Sequence, residues 1–276
     1  MSTQLTAKQV QQFQSQGVIK IDNAISENWV ERMLSVADRQ LDKPSDWAND
    51  GNQGAKRNRM FTDRYQWKHN SEINAYIRET PLAGLAAQAM QSDTARFYFD
   101  HLLIKEPQTV ATTPWHQDVP YWPFQGKQIC SIWVALTEAS IAESAMEFVA
   151  GSHLDGNYYR PQAFLQNEDS TNSKWQKQGQ GVDVPDIENK RDQFNIVGWD
   201  VKPGDALIFS AWILHWAPGN SSQSKRRVAI STRWLGDDAI WSPHVGADPT
   251  VQQKDVSVSP GQRPEDEENF PQLWPR

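Results

Sequence analysis

The sequence predicts a mostly β domain, a sandwich or jelly roll, with helices packed outside it. Three observations predict this. The first ninety of the 276 residues carry apolar positions at helical spacing. From about residue 95 the pattern changes to short aromatic and aliphatic runs. Glycine, proline and serine clusters punctuate those runs throughout.

The elements follow in order. Thr6 caps a helix that carries Val10 and Phe13 on one face and stops at Gly17. A short strand from Gly17 to Ile21 comes next. Ser26 then caps a second helix whose Val30, Met33, Leu34, Ala37 and Leu41 recur at helical spacing. Residues 43–58 are polar and rich in Gly and Asn, a loop by composition. A third helix starts at Pro81 under a Thr80 cap, with Leu82, Leu85, Ala86, Ala89 and Met90 facing inward. The strand candidates are RFYFDHLLI, ICSIWVAL, MEFV, DALIFS and RVAISTRW. A polar insert over 154–196 separates two strand groups, and Tyr158, Tyr159, Phe164 and Trp175 give it something to bury as a lid. No internal repeat and no interdomain linker is visible. The expected organisation is one domain over 1–276: helices over 1–94, a β core over 95–235 containing the insert, and a C-terminal extension over 236–276.

Composition bounds the function. A 38% hydrophobic and 22% charged chain is a soluble globular protein. Thirteen tryptophans fit a broad aromatic core or a cavity wall. A net charge of −7 without a Lys/Arg block argues against nucleic acid and anionic membranes as partners. The acidic run Glu265–Glu268 reads as a solvated tail. With Cys130 alone, an intramolecular disulfide and thiolate-rich metal sites are excluded. The opening MSTQLTAKQVQQF lacks a signal-peptide core and no stretch reaches membrane-spanning length, so a cytoplasmic location is expected.

The chemistry starts at PWHQDVPYWP. On a strand, residues two apart point to one face, so His116 and Asp118 can reach the same ion. The best third ligand is His215, in PGDALIFSAWILHW, just beyond the strand that follows the Pro203–Gly204–Asp205 turn. Two imidazoles and a carboxylate on one triangular face leave three positions open, the arrangement of iron(II) oxygenases. His69 and His244 sit in polar stretches and read as surface residues; His101 and His153 read as structural. Tyr121, Trp122 and Phe124 either wall a pocket for an apolar or cyclic molecule or pack at the barrel rim. Lys105, in LLIKEP, either helps to bind an anionic group or is a solvated loop residue, and the loop is the preferred reading.

PWHQDVPYWPF, ICSIWVALTEASIAESAMEFVAGSH, PGDALIF, ILHWAPGN and RRVAISTRW, in that order over about 95–235, resemble the phytanoyl-CoA dioxygenase family of iron/2-oxoglutarate enzymes. The resemblance implies a double-stranded β-helix, a cupin-like jelly roll, with the metal at its open end. It implies His116, Asp118 and His215 as ligands and Trp133 as a wall of the 2-oxoglutarate pocket. A family serine two residues past the distal histidine is Ala217 here, so one hydrogen bond to the cosubstrate is missing. An arginine beyond that histidine is required to pair with the far carboxylate of 2-oxoglutarate. Counting from the histidine favours Arg226; matching the following AIS favours Arg227. Strand alternation selects Arg227, because Arg227, Ala229, Ser231 and Arg233 share one small and polar face. Arg233 then faces inward too, as structural support.

The implied activity is oxidation of a small organic molecule, with O₂ and 2-oxoglutarate converted to succinate and CO₂ at Fe(II). Asp118 argues against halogenation, which needs a small residue there. Hydroxylation is expected; desaturation, epoxidation and rearrangement use the same ligands. The alternatives are a jelly roll that binds ligand without turnover, predicting no succinate, and a zinc hydrolase, which gives Arg227 no role and needs no O₂. The substrate and the oligomeric state are not legible.

Overall fold

The computed structural model describes residues 4–161 and 181–275. In chain order the elements are α1 (Ala7–Gln16), β1 (Val18–Ile21), α2 (Glu27–Asp42), β2 (Asn49–Gly51), β3 (Met60–Arg64), α3 (Ser71–Glu79), α4 (Leu82–Met90) and β4 (Ala95–Lys105). There follow β5 (Thr113–His116), β6 (Phe124–Gln125), β7 (Ile129–Ala135), β8 (Glu147–Val149), β9 (Ile196–Gly198), β10 (Ala206–Ser210), β11 (His215–Ala217), β12 (Arg227–Leu235), β13 (Ile240–Trp241) and β14 (Gln272–Trp274).

A major sheet runs β1-β10-β7-β12-β4-β3-β2, with β14 added to β4, and a minor sheet runs β5-β11-β8-β9. All the pairings within them are antiparallel. Their inner faces meet in one core containing Trp133, Ala135, Leu207, Phe209 and Ala229 of the major sheet with Phe148 and Ala217 of the minor one. This is a double-stranded β-helix, mostly β with the helices outside, as the sequence predicts.

Period-two alternation decides which side chain goes where. Cys130, Ile132 and Val134 of β7, Ala206 and Ile208 of β10, and Val228, Ile230 and Trp234 of β12 pack outward against all four helices. The intervening residues, including Trp133, Leu207 and Ala229, point into the barrel. The helix caps match expectation at α1, where Thr6 accepts from Gln9 N and Gly17 closes the helix at φ 80°. Ser26 likewise accepts from Trp29 N at α2.

Four expectations change. The stretch 43–58 is not all loop, because β2 pairs with β3 inside it. Helix α3 went unrecognised; Asn70 caps it by accepting from Glu72 N and Ile73 N. Thr80 ends α3 by donating to Tyr76 O at 2.6 Å, and α4 begins after it without a side-chain cap. The acidic C-terminal run is not simply a solvated tail. Asp266 is buried and accepts from the backbone N–H groups of Ser257, Glu268 and Asn269, which fixes the turn leading into β14. Of the aromatic residues assigned to a lid, Tyr158 and Tyr159 are described, with Tyr159 buried; Phe164 and Trp175 lie outside the described residues.

Candidate metal centre

Strand β5 ends at His116, and the chain turns at once. Asp118 has helical φ/ψ (−76°, −41°) ahead of a 3₁₀ turn over Val119–Tyr121. His116 and Asp118 therefore do not converge by strand alternation, as the spacing first suggests. The turn carries Asp118 back under His116, and it is pinned because Asp118 N and Val119 N both donate to Ala211 O, at 2.9 and 3.1 Å. His215 opens β11 and lies directly opposite His116 in the β5–β11 register.

The three side chains meet. Their ligand atoms all lie within 4.8 Å of one another, and all three residues are buried. Asp118 Oδ1 is 3.5 Å from His116 Nε2 and 3.8 Å from His215 Nε2. The two imidazole centroids are 4.1 Å apart. Each ring turns its other nitrogen to a backbone carbonyl two residues earlier: His116 Nδ1 to Pro114 O at 2.7 Å, and His215 Nδ1 to Ile213 O at 3.0 Å. Those carbonyls can only accept, so both Nδ1 atoms donate to them and both Nε2 atoms are turned to the centre.

The electrostatics suit a cation. Burial would raise Asp118, but the contact with His116 and the neighbouring His215 and Arg233 outweigh it and hold the carboxyl well below its usual range. Burial, with His116 alongside, lowers His215 to about 3, so its imidazole is neutral at physiological pH. Ser131 Oγ donates to Asp118 Oδ2 at 2.7 Å, which orients the carboxylate.

Strand β12 divides the two rival arginines. Arg226 reaches outward to Asp38 of α2, Nη2 to Oδ1 at 2.6 Å. Arg227 is buried in the barrel, its guanidinium 5.8 Å from the Trp133 ring, and its Nε and Nη1 have no hydrogen-bond partner. Burial lowers its pKa to about 10, which still leaves it charged. Lys105 corrects the solvated-loop expectation: it is buried opposite Arg227 in the β4–β12 register and donates from Nζ to Pro218 O at 2.5 Å. Burial and the Arg227 charge push it well below the usual lysine range.

The other candidates separate. His69 is exposed, and His153 ties its loop to Gln14 O of α1. His244 faces the carbonyls of Ser242 and Pro120. His101 lies on the inner face opposite Ser231, and its Nε2 has no hydrogen-bond partner. Tyr121 sets its ring edge-on to His116 at 5.8 Å. Trp122 packs on Phe99, whereas Phe124 is core, against Tyr98, Trp241 and Phe270. Sequence reasoning missed Ser131, whose only signal is the inward parity it shares with Trp133; for Lys105 it weighs anion binding but prefers the loop, although Lys105 shares inward parity with Leu103.

A family model described as phytanoyl-CoA dioxygenase matches residues 13–228. No curated protein matches the chain. Solved structures do. The non-haem alpha-ketoglutarate-dependent carbocyclase SnoK from nogalamycin biosynthesis is 22% identical at a TM-score of 0.75, covering 97% of this chain and 96% of its own. The epimerase SnoN, in complex with Fe3+, alpha-ketoglutarate and nogalamycin RO, is 20% identical at 0.69, with 96% and 97% covered. EctD from S. alaskensis, with 2-oxoglutarate and 5-hydroxyectoine, is 15% identical at 0.68, with 94% and 86% covered.

Proposed function

The chain belongs to the phytanoyl-CoA dioxygenase family and is a non-haem iron(II), 2-oxoglutarate-dependent oxygenase; from that premise we propose that His116, Asp118 and His215 hold its iron and that Arg227 and Trp133 hold its cosubstrate. The observation that carries the assignment is the inward convergence of two imidazole Nε2 atoms, each ring held through Nδ1 on a backbone carbonyl, with one carboxylate in a buried site. Three protein ligands on one face leave the remaining positions for cosubstrate and O₂.

When bound, iron with 2-oxoglutarate and O₂ supplies the oxidising power, releasing succinate and CO₂. The protein's residues do the rest. Arg227 is the counter-ion for the far carboxylate, and its two unpartnered nitrogens explain why a guanidinium is buried there at all. Trp133 flanks that carboxylate site and keeps water from it. Ser131 holds Asp118 so that its charge faces the cation. Phe148 and Phe209, 6.0 and 4.7 Å from the His215 ring, fix the distal ligand by packing.

The substrate is a small organic molecule; hydroxylation is the expected outcome, and residues 1–276 act as one oxygenase domain. Among the described residues no helix is long and apolar enough to cross a membrane. A net charge of −7 and one buried thiol, Cys130, support a cytoplasmic enzyme that does not bind nucleic acid.

The test is anaerobic. Metal-free protein mixed with iron(II) and 2-oxoglutarate should develop a weak visible charge-transfer band. His215→Ala should lose it, Arg227→Gln should need at least ten-fold more 2-oxoglutarate, and Arg226→Gln should behave as wild type. Stoichiometric iron uptake without a band would defeat the assignment.

A further inference from the structure

Strand β12 buries a second arginine beside the metal centre. Arg227 and Arg233 are six residues apart on the same inward face, 2% and 7% exposed. Both leave Nε and Nη1 without a hydrogen-bond partner. A buried guanidinium with unmatched N–H groups is strongly unfavourable unless an anion completes it, as for one partner of a broken buried ion pair. For Arg227 that anion is the far carboxylate of 2-oxoglutarate, and the near carboxylate belongs to the metal. The cosubstrate then has nothing left for Arg233.

The place of Arg233 shows what else could fill the gap. It lies opposite Ser131 in the β12–β7 register, and Ser131 holds Asp118. Its Nε is 4.0 Å from Asp118 Oδ2, near enough to feel the charge but beyond hydrogen-bonding distance. With a cation on Asp118 Oδ1, the charge that Oδ2 offers Arg233 is weakened, and Oδ2 already accepts from Ser131. Six residues of extended strand, about 20 Å of backbone, separate it from Arg227, so the two guanidinium groups lie at different points along β12.

The surroundings are aromatic. The Arg233 guanidinium is 5.0 Å from the Phe99 ring and 5.8 Å from Trp122. Tyr65 stacks on Phe99 at 4.5 Å. The nearby Arg64 is already paired, with Asp248 at 3.2 Å. His101 Nε2, on the adjoining strand, is a further buried nitrogen with no partner.

We propose that Arg233 anchors an anionic group, a carboxylate or similar planar oxyanion, on a cyclic or aromatic substrate held beside the metal against Phe99 and Trp122. This rests on the assignment of the metal centre made above. A guanidinium suits a planar oxyanion better than an ammonium does, so the side chain itself selects the chemistry. The anchor fixes one end of the substrate while the ring skeleton lies on the aromatic wall. One carbon is thereby presented to the metal.

The experiment uses protein loaded anaerobically with iron(II) and 2-oxoglutarate. Phenylacetate and benzoate are titrated beside phenylacetamide and benzamide, followed by calorimetry and by the shift of the charge-transfer band. Each acid should bind at least ten-fold more tightly than its amide. Arg233→Gln should abolish that preference, Arg233→Lys should retain part of it, and neither should move the 2-oxoglutarate titration by more than about three-fold. If the glutamine variant does not take up iron, the lysine variant decides. Equal binding of acid and amide, or binding of neither, overturns the proposal while the band in wild-type protein still stands for the oxygenase. A loss of 2-oxoglutarate affinity in Arg233→Gln matching that of Arg227→Gln also overturns it, by giving Arg233 to the cosubstrate. A wild type without any band instead defeats the metal-centre assignment beneath it.

Discussion

At the scale of single residues, the centre is built by groups that do not themselves face the cation. Ser131 Oγ donates to Asp118 Oδ2 at 2.7 Å, and that bond leaves Oδ1 turned toward the histidines. Removing such a partner costs a metal site about 10- to 100-fold in affinity. Ser131→Ala should therefore weaken iron(II) binding within that range, read by competition with a chromophoric chelator, while the far-ultraviolet spectrum stays unchanged. Unaltered affinity would mean that Asp118 is held by its backbone turn alone. The convergence of His116, Asp118 and His215 was legible in the sequence because their identities are chemically distinctive and the distal histidine follows a turn-and-strand pattern. The inward placement of Arg227 was legible through strand parity, and the structure sends Arg226 outward to Asp38. Ser131 and the burial of Lys105 were not, because their partners are set by strand register and by a turn at Asp118 that no local pattern announces.

At the scale of elements, β4 shows how one strand serves two faces. Its inward residues reach the barrel, while Asp100 points the other way and accepts from Gln66 N at 3.2 Å and Trp67 N at 2.9 Å, pinning the turn between β3 and α3. Burial outweighs these bonds and raises the carboxyl from 3.8 to about 6. A folded pKa above the unfolded one means that the folded state retains a proton which the unfolded chain has released. The contribution of Asp100 is therefore fully present below about pH 4 and is lost as pH rises through 6. His215 runs the opposite way: its folded value of about 3 makes stability increase as pH rises toward 6.5. The net slope of wild type mixes the two, so the informative quantity is a difference. Subtracting urea-unfolding stabilities of Asp100→Asn from wild type between pH 4.5 and 7.5 should show wild type losing ground steadily up to about pH 6.5. A flat difference would show that Asp100 titrates normally. The same region marks the limit of sequence reading for elements. The capped α1 and α2 are visible, and α3 carried comparable signals that went unused, the Asn70 cap and the helical spacing of Ile73, Tyr76 and Ile77, in a segment of only nine residues.

At the scale of the whole molecule, the C-terminal extension is part of the barrel's wall. Strand β14 pairs with the start of β4, and Arg96 of β4 clamps the approach by donating to Phe270 O at 3.0 Å and pairing with Glu267 at 2.6 Å. Phe270 is fully buried among Tyr98, Phe124 and Trp241, with ring centroids 5.2 to 5.9 Å away. The charged, proline-punctuated sequence around it gives no hint of this, because one aromatic anchor in a polar stretch has no periodicity to detect. Truncating such a ring leaves a cavity that the surrounding rings cannot close, at a cost of about 3–5 kcal/mol. Phe270→Ala should lower unfolding stability by that amount in urea. Val110→Ala, at a site 77% exposed, should change it by less than about 0.5 kcal/mol. Tyr98 sits between Phe270 and the Phe99–Trp122 wall, in edge contact with each of these three rings. Losing Phe270 should therefore also weaken the binding of aromatic acids to the iron- and 2-oxoglutarate-loaded protein at temperatures where the variant remains folded. Stability lost without any change in that binding would confine the extension to a structural role and separate the aromatic wall from the core behind it.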